Sequence, residues 1–142
     1  MSEAFQGYDL VKISKVCSEL GLSCRMVDAD FLEVTFSGDV VLYFANDRKS
    51  SRVEAGIAGT PWRFDEGVLS LRLGDGQYAY FDEYEMLRSI VSGDILLVTQ
   101  LRNGKIQDRW LTHKEEPLEI RLMKPGEELR VTRLNGHAGP GK

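Results

Sequence analysis

The side chains in this chain whose types and spacing bear on chemistry are few: His113 and His137, Cys17 and Cys24, and the carboxylates Asp82, Glu83 and Glu85. A histidine works as a general base when a second group orients it. His113 lies in a stretch that alternates like a strand, so Asp108 falls on the opposite face and the two do not form an acid/base pair. His137 sits in a glycine-rich end that cannot preorganise it. The cysteines match neither a zinc nor a redox spacing, and Cys17 lies on an apolar stripe, where burial raises a thiol pKa instead of activating it.

Asp82, Glu83 and Glu85 occupy the first turn of an expected helix, where negative side chains complement the dipole and cap free amides. With no histidine or cysteine ligand beside them, and with Asp28 and Asp30 equally short of a hard-cation site, no metal is expected. Gly74-Asp75-Gly76 has the glycines of a phosphate loop but neither the Walker lysine nor the strand-to-helix setting, so it reads as a turn. No cofactor is expected either, and the reading leans against an enzyme.

The one stretch that looks built for recognition is Gly59-Thr60-Pro61-Trp62-Arg63-Phe64. A rigid loop presenting tryptophan and arginine has the composition of an interface hot spot. Thr60, Trp62, Arg63 and Phe64 are therefore the candidate binding residues. The competing reading tucks Trp62 and Phe64 into the core as the chain crosses between sheet edges.

These residues need a frame, and the local signals for one are good. Leu10, Ile13, Val16, Cys17 and Leu20 recur at helical spacing within 8–20, with Gly21 as the stop. The period then becomes two: Leu32 to Phe36 and Val40 to Phe44 form a hairpin across Ser37-Gly38-Asp39, and the second strand, apolar on both faces, belongs at a sheet centre. A strand over 52–57 and a pair over 68–73 and 77–81 follow. Asp82 with Glu85 makes a capping box for a second helix that Gly93 ends. Asn103-Gly104 predicts a two-residue type I′ hairpin between 95–101 and 106–111. Residues 115–123 fit strand or helix. Lys124-Pro125-Gly126-Glu127 reads as a type II turn before a strand over 129–134.

Together these elements predict an α+β fold: a mostly antiparallel twisted sheet of about six to nine strands, with an N-terminal amphipathic helix and a second helix packed on it. A chain of 142 residues fits a single domain, here 1–134, followed by a flexible tail over 135–142. Net charge is −4, with −5 carried by residues 1–47 and +1 by the remainder. No clustered cationic face supports nucleic-acid binding. No apolar run spans a bilayer and no secretory leader is visible, so a cytoplasmic setting without membrane attachment is expected.

The functional expectation is a small protein-binding module without enzymatic activity, of the immunity or antitoxin-type neutraliser, secretion-chaperone or adaptor kind, acting on a protein partner. The alternative is a small-molecule-binding domain or weak enzyme with a pocket between sheet and first helix, lined by Trp62, Tyr78, Tyr80 and Trp110. A homodimeric structural module, joined through a strand edge or helix face, is the third class. A filled core with an exposed aromatic patch would favour the first class, and a closed apolar cavity the second.

Overall fold

A computed structural model describes residues 7–37, 39–116 and 124–134 of the chain. Helix α1 (Leu10–Glu19) starts at Asp9, whose carboxylate accepts a hydrogen bond from the Lys12 amide at 3.1 Å. It ends where Gly21 takes φ 74°, a conformation glycine adopts without steric strain. The helix buries Leu10, Ile13, Val16 and Cys17, the stripe its spacing predicts.

Five strands follow as an antiparallel meander: β1 (Ser23–Asp28), β2 (Phe31–Phe36), β3 (Val40–Asp47), β4 (Arg52–Ile57) and the two-residue β5 (Arg63–Phe64), in that spatial order. The doubly apolar β3 is the central strand, as expected. Leu32, Val34, Leu42, Phe44 and Ile57 supply the inner face and share one core with Ile13 and Cys17 of α1. A separate hairpin, β6 (Leu69–Arg72) and β7 (Tyr78–Phe81), turns through Gly74-Asp75-Gly76.

Helix α2 (Glu83–Ser92) carries the capping box its sequence announces. The Glu85 amide donates to Asp82 Oδ1 at 2.7 Å, and the Asp82 amide donates to Glu85 Oε1 at 3.2 Å. Gly93, at φ 87°, stops it. Met86, Leu87 and Ile90 join the common core.

The last sheet has the order β10-β8-β9, formed by β8 (Ile95–Arg102), β9 (Lys105–His113) and β10 (Glu127–Thr132). Asn103 and Gly104 have φ 52° and 79°, the two positive values a type I′ turn demands. The turn before β10 is closed by the Glu127 amide on the Lys124 carbonyl at 3.0 Å, with Gly126 at φ 82°.

The architecture is thus α+β and antiparallel, but the expected single sheet of about six to nine strands is corrected to ten strands in three sheets among the described residues. The physical reason lies in β5: only Arg63 and Phe64 pair with β4, so the ladder ends before β6 begins. The edge strand β1 has almost no buried side chain and hence no alternation to read. Of residues 115–123, which fit strand or helix, Glu115 and Glu116 are described and form neither, while 117–123 and the tail over 135–142 lie outside the described residues. Among the described residues no helix is long and apolar enough to cross a membrane.

Candidate functional site

The four candidate binding residues separate by strand alternation. Thr60 is bound within its own turn: its hydroxyl donates to the Ile57 carbonyl at 3.0 Å and accepts from the Trp62 amide at 3.3 Å. Trp62 and Phe64 turn inward, half-buried against the core edge, and meet edge to face with ring centroids 5.8 Å apart. Arg63, between them, faces outward with its Nε 3.8 Å from Glu54 Oε1. The sequence offers two readings, one recognition loop or Trp62 and Phe64 tucked into the core, and the backbone turns those two rings toward the core edge while Arg63 faces outward.

Gly56 makes this crossing feasible. A Cβ there would stand 2.6 Å from the Trp62 carbonyl oxygen and 2.9 Å from Arg63 Cβ, so β5 can lie against β4 only because no side chain intervenes. The outer face around it is closed upon itself. Arg25, Glu33, Tyr43, Gly56 and Arg63 form one row across all five strands. Arg25 pairs with Glu33 at 2.8 Å, Tyr43 donates its hydroxyl to Glu54 at 2.6 Å, and Phe31 stacks on Tyr43 at 5.6 Å. Burial, then the hydrogen bond to and the charge of Glu54, push the Tyr43 hydroxyl up to about 12, opposed by Arg63.

The β6–β7 hairpin presents the contrary surface. Leu69 pairs with Phe81 and Leu71 with Ala79 on the inner face, which forces Tyr78 and Tyr80 outward beside Arg72 and Ser70. Tyr78 is 55% and Tyr80 66% exposed, and their hydroxyls have no hydrogen-bond partner among the described residues. A depression of about 320 Å³ beside this hairpin is lined by Trp62, Phe64, Val68 and Ser70 together with the charged Arg63, Asp65 and Glu66, and it lies between the hairpin and the Trp62 edge. The sequence named Tyr78 and Tyr80 only as lining a pocket. The alternation Tyr-Ala-Tyr-Phe, with the paired leucines, is the signal that places them outside.

Beneath α1 the space is filled: Ile13, Cys17, Leu32 and Val34 have no exposed surface. Tyr78 and Tyr80 therefore do not join Trp62 and Trp110 around a cavity under that helix. His113 is buried against Phe81, with ring centroids 6.4 Å apart, and its Nδ1 accepts a hydrogen bond from the Glu115 amide at 3.1 Å. With that nitrogen engaged by a backbone donor, Glu115 Oε2 at 3.8 Å is a neighbour rather than a proton partner.

Cys17 and Cys24 are free thiols, and burial, with the proximity of Cys24, pushes Cys17 up to about 12. Asp82 and Glu85 are engaged by the helix cap. Among the described residues no group of three His, Cys, Asp or Glu side chains is placed to hold a metal ion.

Comparison of the chain with protein families, with curated proteins and with solved structures finds no match.

Proposed function

We propose that the chain is a small protein-binding module without enzymatic activity, of the neutraliser, secretion-chaperone or adaptor kind, and that its partner docks on the outer face of the β6–β7 hairpin. The observation that carries this reading is the pair Tyr78 and Tyr80, side by side, more than half exposed and without a hydrogen-bond partner among the described residues, while the described core beneath α1 is filled. Tyrosine offers a large amphipathic contact at low conformational-entropy cost, which is why it is enriched where protein surfaces meet. Val68, 44% exposed, and the depression toward Trp62 and Phe64 extend the face to a size that admits more than one anchor. Arg72 at one margin, with Asp65 and Glu66 beside the depression, supplies a rim of mixed charge that can set the register of a partner.

The test is affinity capture from the native host with three forms of the full chain: the natural sequence, Tyr78→Ser/Tyr80→Ser, and Val11→Ser as an exposed apolar control on α1. A protein retained by the natural chain and by the control but lost with the tyrosine double variant is the expected result. Retention by all three forms, or capture of nothing by any, contradicts the reading.

A further inference from the structure

The face of the three-stranded sheet that carries Thr99 holds an arrangement of charge that the protein-binding reading does not use. Thr99 on β8 pairs with Arg109 on β9 and with Arg130 on β10, so two arginines flank a buried threonine in one row. A bulge puts Arg109 there. The Asn103-Gly104 turn sets Leu101 opposite Ile106, and uninterrupted pairing would bring Asp108 opposite Thr99. The extra residue Gln107 shifts the register, so Asp108 meets Gln100 and Arg109 takes the place beside Thr99. Re-aiming a side chain is a recurrent use of such bulges. Here it exchanges an anion for a cation on one face.

This row opens into a cleft of about 240 Å³ between the sheet and the end of the β2–β3 hairpin, where Val40 forms part of the wall. Arg109, Arg130 and Arg133 all line it, and among the described residues no carboxylate does. Their commitments differ. Arg130 is neutralised by Glu128, Nε to Oε2 at 2.7 Å. Arg133 donates to the Val91 carbonyl, which satisfies a hydrogen but leaves the charge uncompensated. Arg109 Nε is buried with no hydrogen-bond partner. A buried guanidinium nitrogen without a partner is unfavourable and rare in folded proteins. Two cations without a carboxylate partner among the described residues thus line a cleft whose remaining wall mixes apolar Val40, Leu97 and Leu101 with the hydroxyls of Ser37, Thr99 and Thr132.

The geometry points to a binding site for a small organic anion. An oxyanion head, carboxylate or phosphate monoester, is held by Arg109 and Arg133, and a compact apolar body rests on Leu97, Leu101 and Val40. Arginine forks match both head groups. The volume is below the range of drug-sized pockets, which restricts the body to about one ring or a short chain.

Calorimetric titration of the full chain with benzoate, phenyl phosphate, benzyl alcohol and inorganic phosphate tests this. At least one of the two organic anions is expected to bind at roughly 1 mM or tighter, with benzyl alcohol and inorganic phosphate each at least about tenfold weaker. Which organic anion binds better assigns the head group. Arg109→Gln is expected to weaken binding by about ten- to a hundredfold, the scale of a charged hydrogen bond, while Arg25→Gln on the five-stranded sheet leaves it unchanged.

A second readout does not depend on any ligand. Arg109→Met removes the buried, unpartnered Nε of a half-buried arginine and is expected to raise the thermal midpoint of the ligand-free protein while abolishing anion binding. The proposal is overturned by either organic anion binding Arg109→Gln as well as the natural chain, by inorganic phosphate matching both organic anions, by no organic anion binding up to about 10 mM, or by Arg109→Met lowering the midpoint.

Discussion

Two aromatic surfaces of this domain have similar composition and opposite states. On the outer face of the five-stranded sheet, Tyr43 is stacked by Phe31 and hydrogen-bonded to Glu54, with Arg25–Glu33 and Glu54–Arg63 ion pairs around it. On the outer face of β6–β7, Tyr78 and Tyr80 have neither a stacking ring nor a hydrogen-bond partner among the described residues. Counting aromatics does not separate the two. What separates them is whether the polar end of each ring is engaged within the chain or solvated. An engaged hydroxyl has no bond to exchange, while a solvated one can trade water for a partner group at a modest net gain. The first surface is engaged within the fold, and the second is the one proposed above for recognition.

Substitutions that probe this contrast should differ in size as well as kind. The largest effect is expected at Gly56→Val, where the new side chain would overlap the Trp62 carbonyl and Arg63. Detachment of β5 should destabilise the domain by about 3 kcal/mol, the upper part of the usual overpacking range. A chemical denaturation midpoint equal to that of the natural chain would show that β5 is not held against β4 in this way.

Trp62→Ala comes next. Because Trp62 is half-buried at the core edge, the expected loss is about 2 kcal/mol, below the 3–5 kcal/mol of a fully buried tryptophan. A loss under about 0.5 kcal/mol would move Trp62 from the folding surface to the recognition surface.

Tyr43→Phe removes one hydrogen bond and keeps the ring, so about 1 kcal/mol should be lost at neutral pH. Its pH dependence is more telling. The folded hydroxyl ionises near 12 against about 10 in the unfolded chain, so the unfolded state releases its proton first. The contribution of Tyr43 is whole below about pH 10 and is lost as pH rises through about 12. Denaturation at pH 8 and pH 11 should show a shallower alkaline decline for Tyr43→Phe than for the natural chain. Equal declines would mean that neither burial nor Glu54 holds the Tyr43 hydroxyl up in the folded chain.

How far these surfaces can be read from sequence depends on how local their causes are. The capping box at Asp82 and Glu85, the Asn103-Gly104 turn, the Gly126 turn and the stripe on α1 each lie within a few residues, and each is found where the sequence places it. The Tyr43 cluster joins Phe31, Glu54 and Arg63 through the register of four strands, which no short window contains. The arginine row is more remote still. It requires a one-residue bulge in β9 and the pairing of β10 with β8, so positions 99, 109 and 130 carry no mutual signal. The division into three sheets was equally invisible, because a two-residue strand such as β5 has no period.

The contrast between the two aromatic surfaces is tested most directly by the affinity of the captured partner for Tyr78→Ser/Tyr80→Ser, measured beside the stability of the same variant. Binding is expected to weaken by about 2 kcal/mol or more, the threshold of a hot spot, while stability changes by no more than about 0.5 kcal/mol. Unchanged affinity, or a stability loss as large as that of Trp62→Ala, would contradict the assignment of the β6–β7 face to recognition.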